Sequence, residues 1–171
     1  MEALVPYVGV AGSLFSTLLT LYFWFVKARR EQPNLRPYLV DREFFLGAQT
    51  ASQRQIGFKL GIVVANYSEL PNALLGVAVA FKQSDGGWLA ADQVSFDKQT
   101  PMPFNIPSLQ TVLLRVNGQL TFAADDSLEQ GSGIAGNYVK HHLTLPTQVR
   151  VDLRSLNDRV FTGVLTQGGV S

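Results

Sequence analysis

The chain has no cysteine among its 171 residues, which excludes disulfides, thiolate metal sites and cysteine nucleophiles. Charge is also scarce. Only 16% of residues are charged, against roughly 25% in an average soluble protein. The net charge of +1 leaves no basic excess for bulk attraction to nucleic acid. There is no Walker loop, no G-x-S-x-G elbow and no H-E-x-x-H pair, so no motif supplies a nucleophile, a phosphate cradle or a zinc site. The charge deficit is local: one acidic residue, Glu2, precedes Lys27, and the 24 residues Ala3–Val26 carry no charge at all.

That uncharged run sets the first expectation. As a helix rising about 1.5 Å per residue it would reach roughly 36 Å, against a hydrocarbon core of about 30 Å. Tyr22, Phe23, Trp24 and Phe25 crowd its end, as rings do at a membrane interface, and Lys27, Arg29 and Arg30 follow. A cleavable signal would carry its positive charges before the apolar run, and here they come after it. Residues 1–26 therefore read as a retained single-pass anchor and 27–37 as a basic juxtamembrane linker. Residues 27–36 have a local charge of +3, which places the body on the cytoplasmic side by the positive-inside rule. Tyr22, Trp24, Lys27, Arg29 and Arg30 are then the expected lipid contacts. Gly9, Gly12, Ser13, Ser16, Thr17 and Thr20 repeat at three and four residues, a small-residue stripe that suits a second helix, of another membrane protein or of the same chain. Alternatively, those hydroxyls bond their own helix backbone.

Residues 38–167 read as one β domain, with 168–171 as a tail. Ile56, Phe58, Leu60, Ile62 and Val64 alternate with Gly57, Lys59, Gly61, Val63 and Ala65, the period of a strand. A second alternation joins Leu75, Val77, Val79 and Phe81, and a third Val149, Val151 and Leu153. Asn117-Gly118 between apolar runs predicts a hairpin. Seven or eight such strands predict an antiparallel sandwich of immunoglobulin-like or fibronectin-like type, with a small barrel as the runner-up. Gly57, Gly61, Gly76, Ala78 and Ala80 suggest a close approach of two elements. Residues 125–143 have room for one short helix.

Four constellations are candidates for chemistry. Gly131-Ser132-Gly133-Ile134-Ala135-Gly136 is a literal G-x-G-x-x-G with Asp152 downstream, but dinucleotide binding also needs a strand before it, a helix after it and a parallel crossover. Asp125, Asp126 and Glu129 offer oxygens to calcium, and His141 and His142 nitrogens to a metal, without matching spacing. Asn66-Tyr67-Ser68 is a glycosylation sequon. Pro101–Pro107 would project Met102, Phe104 and Ile106 at alternate positions, either as a docking edge or folded over the end of the sandwich.

Ala65-Asn66-Tyr67-Ser68 followed by Leu70-Pro71 resembles the strand-to-turn signature of water-stress domains of the late-embryogenesis-abundant type, over about a dozen residues. The resemblance implies a solo protective or lipid-surface domain. The leading reading is a non-catalytic binding or scaffold module, an accessory subunit held beside a membrane protein, with no cofactor, metal, nucleic acid or small-molecule substrate. An enzyme using the 125–142 loop is the third reading, and it requires Asp125, Asp126 and a histidine to converge.

Overall fold

The computed structural model describes residues 5–96, 102–131, 133–166 and 169–170, with side chains from Gly12 onward except at 157 and 169–170. Among the described residues a helix, α1 (Val5–Glu31), is followed by ten strands, one short α-helix and a single 3-10 turn at Leu156–Asp158. The strands are β1 (Leu35–Gln49), β2 (Gln53–Asn66), β3 (Asn72–Lys82), β4 (Trp88–Ala90), β5 (Asp92–Phe96), β6 (Phe104–Ile106), β7 (Thr111–Ala123), β8 (Gln148–Ser155), β9 (Val160–Thr166) and β10 (Gly169–Val170). Helix α2 (Ile134–His142) lies between β7 and β8.

The membrane-spanning expectation is overturned. Among the described residues no helix is long and apolar enough to cross a membrane. What falls short within the described helix is its apolar character. Ser13, Ser16, Thr17 and Thr20 dilute it, and Lys27, Arg29, Arg30 and Glu31 fill most of the last turn. Without a span, the charge asymmetry has no sidedness to set, so the cytoplasmic placement and the single-pass anchor fall with it.

The mainly β, two-sheet part of the expectation holds. One sheet has the order β1-β2-β7-β5, the other β10-β9-β8-β3-β4, with β6 also on β3. Every named strand pair is antiparallel. The chain crosses between sheets from β2 to β3, β4 to β5, β5 to β6, β6 to β7 and β7 to β8, so neither sheet is built from one continuous stretch. The inner faces share one core. Ile56, Phe58, Leu60, Ile62 and Val64 of β2 are buried against Val149, Val151 and Leu153 of β8 and Phe81 of β3, all in one cluster. Phe58 and Phe81 meet edge to face across the sheets with ring centroids 4.9 Å apart, a favoured aromatic geometry.

Three strand details depart from expectation. Asn117-Gly118 is not a turn: β7 runs straight through it, pairing Asn117 with Lys59 and Gly118 with Phe58. A Cβ on Gly118 would lie 2.5 Å from Phe58 Cζ, so the glycine makes room for a buried ring. In β3 the register slips between Leu74 and Gly76, so Leu74 is buried and Leu75 bulges outward. The glycines of β2 are filled from the neighbouring strand rather than by a second element. Phe45 covers Gly57 and the Asp41 carboxylate covers Gly61, while Gly76 faces open space.

Candidate binding surface

The end of the body from which α1 leaves is built on Asn66, at the end of β2. Its side chain is 2% exposed. The amide Nδ2 donates to Leu70 O at 2.9 Å, Pro107 O at 3.0 Å and Ile106 O at 3.2 Å. Its Oδ1 accepts from Ser68 N at 3.0 Å and Asn72 Nδ2 at 2.6 Å. One side chain thus ties together the β2–β3 turn and the segment after β6, satisfying backbone groups that a buried turn would otherwise leave unpaired. The sequon asparagine is therefore structural, with no exposed amide to carry a sugar.

The same turn holds the last carbonyls of α1. Glu69 N donates to Arg30 O at 2.9 Å, and Ser68 Oγ donates to Glu31 O at 3.2 Å. Tyr67 N donates to Asn34 O at 2.9 Å just beyond the helix. These bonds do the work of a C-terminal cap. Arg30 also pairs with Glu69 at 3.3 Å. Tyr67 shares a 2.8 Å hydroxyl contact with Tyr38, which raises the Tyr38 phenol above its ordinary value. The Arg36 guanidinium sits 5.3 Å from the centre of the Tyr67 ring.

Beyond this junction α1 stands clear of the body. Its nine large apolar side chains Leu14, Phe15, Leu18, Leu19, Leu21, Tyr22, Phe23, Trp24 and Phe25 are between 39% and 74% exposed. At 3.6 residues per turn, the run Leu21–Phe25 alone points in every direction around the axis. Within the small-residue stripe, Thr17 Oγ1 donates to Ser13 O at 2.9 Å and Thr20 Oγ1 to Ser16 O at 2.8 Å, so both threonines bond their own helix. Gly12 has open space around it, and Gly9 lies outside the described side chains. Of the basic residues, Lys27 pairs with Glu31 at 3.8 Å and Arg29 lies over the Phe25 ring at 5.5 Å.

The described part of the 101–107 loop, residues 102–107, has turned inward. Ile106 is fully buried, Met102 and Phe104 pack against the core, and β6 pairs with β3, which leaves little of these residues for a partner. Pro101 lies outside the described residues.

The 125–142 loop is held together by internal bonds. Arg54 of β2 pairs with Glu129 at 2.6 Å, largely out of water, and Glu129 holds its guanidinium above the ordinary value. The Tyr138 hydroxyl accepts from Asp125 N at 2.7 Å. Asp125 caps Ser127 through its backbone and hydroxyl, which lowers the Asp125 carboxyl. The His142 ring stacks on Phe122 at 4.8 Å, and burial, followed by repulsion from His141, lowers its pKa. Among the described residues no group of three or more His, Asp or Glu side chains is placed to hold a metal. The glycine run lacks the dinucleotide setting. Gly131 sits in a turn at φ +88°, Ser132 lies outside the described residues, and no parallel crossover follows. Asp152 is engaged on β8, accepting from Thr162 Oγ1 at 2.7 Å.

Concavities elsewhere also carry charge. One of about 380 Å³ on the outer face of the first sheet is lined by Asp41, Glu43, Lys59 and Arg115 among others. Another, of about 460 Å³, lies in the elbow between α1 and β1 and is lined by Arg29, Arg30, Gln32, Pro33, Asn34 and Tyr67. Sequence reasoning reached the arginines but missed Gln32, Asn34 and Tyr67. The signal was the cluster of Asn66, Ser68 and Asn72 at the end of an apolar strand, which marks a side-chain-bonded turn.

No known protein family matches the chain, and no curated protein does. Among solved structures it is similar to a protein from Archaeoglobus fulgidus at 16% identity and a TM-score of 0.33, over 74% of this chain and 90% of that one. It is similar also to Northeast Structural Genomics Consortium target SoR45 at 11% identity and a TM-score of 0.38, over 80% of this chain and 89% of that one. Likenesses at this level carry neither a family nor a function, and the reading of the chain rests on its own residues.

Proposed function

We propose that this chain is a non-catalytic binding module, an accessory subunit whose contact element is α1. The observation that carries the reading is the exposure of nine large apolar side chains on one projecting helix. Fully burying such a side chain contributes about 1.5–3 kcal/mol, so covering several is a strong driving force. Isolated exposed leucines are ordinary, but a contiguous apolar surface of this kind marks an interaction site.

The partner is another protein presenting apolar helices to α1. A surface that is apolar on all sides needs more than one flat neighbour. Lys27 near its base favours a carboxylate on that neighbour. A solo protective domain would leave the helix uncovered.

The experiment is native mass determination of the full chain at its natural abundance, beside a variant carrying Phe15→Gln and Leu18→Gln. The expected result is a complex of fixed stoichiometry with a second protein, lost in the variant while the β body keeps its unfolding midpoint. A lone chain, or a complex built only of copies of itself, would overturn the proposal.

A further inference from the structure

We propose that the elbow between α1 and β1 is an anion site for a phosphate monoester. This inference does not depend on what covers α1.

The elbow combines charge with neutral donors. Arg29 and Arg36 are exposed, and each lies over an aromatic ring rather than against a carboxylate, on Phe25 at 5.5 Å and Tyr67 at 5.3 Å. Ring contacts restrict a guanidinium without neutralising it, which leaves its N–H edges available for a bidentate oxyanion. Arg30 lines the same concavity but is shared with Glu69, so Arg29 is the lining guanidinium left without a carboxylate, while Arg36 lies outside the lining on the Tyr67 ring. The side-chain amides of Gln32 and Asn34 have no hydrogen-bond partner among the described residues, and both line the concavity. Amide donors beside guanidinium groups suit the several acceptor oxygens of a phosphate.

The obvious objection is the helix terminus. The C-terminal end of a helix is its negative pole and repels anions. Here the carbonyls of Arg30 and Glu31 already accept from Glu69 N and Ser68 Oγ, so the turn after β2 occupies the groups that would oppose an anion. A volume of about 460 Å³ accommodates a phosphate with its substituent outside.

A phosphate monoester can be free or the headgroup of a lipid, and the test separates the two. The full chain, in an uncharged mild detergent, is titrated with inorganic phosphate while the side-chain amide resonances of Gln32 and Asn34 are followed by NMR. The expected result is saturable shifts of both amides. Arg29→Gln raises the half-saturating concentration about tenfold, as loss of a charge-assisted contact would. Lys59→Gln makes the same change of charge on the outer face of the first sheet and leaves the titration unchanged. Flotation on phosphatidylcholine vesicles with and without phosphatidic acid then locates the source. Extra binding to phosphatidic acid that disappears in Arg29→Gln assigns the site to a lipid headgroup. Saturable binding of phosphate without that extra flotation assigns it to a soluble phosphate. Absence of saturable shifts and of Arg29-dependent flotation overturns the proposal, and so does a Lys59→Gln effect equal to that of Arg29→Gln.

Discussion

Helix α1 and strand β2 are both rich in large apolar side chains, yet they end in opposite environments. Phe58 and Leu60 of β2 are 0% and 1% exposed, while Trp24 of α1 is 74% exposed. The difference lies in where each backbone finds its hydrogen bonds. A helix satisfies most of its backbone groups within itself and needs neighbours only at its ends. A strand must borrow partners, and β2 borrows them from β1 on one side and β7 on the other. Pairing fixes the sheet, and the period of two then sends every second residue of β2 toward the opposite sheet. Apolar content alone therefore does not place a segment; its hydrogen-bonding partners do.

Substitutions break or sharpen this contrast, and Phe58→Ala should do so most strongly. It removes a fully buried ring and its edge contact with Phe81, and about 3–5 kcal/mol of stability should go with it. Denaturant unfolding of the full chain is the check, and a loss under 1 kcal/mol would mean that the two sheets do not share this core. Next comes Asn66→Ala, which deprives three carbonyls and two donors of their partner. A loss of about 1–3 kcal/mol is expected, with faster amide exchange at Ser68 as its local signature.

Gly118→Ala should cost about 1–3 kcal/mol through overpacking, because the ring it meets, Phe58, is fully buried. Gly57→Ala should cost less, since the obstructing Phe45 ring is 40% exposed and free to swing away. Equal losses at the two glycines would contradict that difference in mobility. A smaller effect is electrostatic. The folded-state pKa of His142 is lowered by burial, so the unfolded chain binds the proton more readily. Stability at this residue is complete above the ordinary value of 6.5 and falls as pH drops below it. His142→Phe, which keeps the stack on Phe122, should flatten the stability profile between pH 5 and 6.5, about the range where histidine titrates. A profile that stays unchanged would show that His142 is not the group responsible. The least effect on the β body is expected from Phe23→Ala on α1. Its side chain is 64% exposed, and the unfolding free energy of the body should move by no more than about 0.5 kcal/mol.

Much of the fold was legible in the sequence because β2 and β8 alternate cleanly and nothing interrupts their period. Asn117-Gly118 misled because local turn chemistry was outweighed by a distant ring, and Phe58 lies some sixty residues earlier in the chain. The phase of β3 was misread for a related reason: a bulge at Leu75 is visible only in the pairing with β8. The membrane expectation came from a run that reads as continuous in sequence, whereas the described helix is diluted by hydroxyls and ends in charge. At the candidate surface, Arg29 and Arg30 stood out by charge. Gln32, Asn34 and Tyr67 did not, because what gathers them is the turn held by Asn66, and that is a property of the assembled chain.

The clamp on the last turn of α1 has a mechanical consequence. Glu69 N and Ser68 Oγ hold the helix end from a turn that Asn66 in turn fastens to Ile106 and Pro107. Helix and sheets are thus joined as a lever is joined to its block, not as a bead is tied to a string. Whatever grips the helix also fixes the heading of the β body, and a tilt imposed at one end is delivered as a rotation at the other.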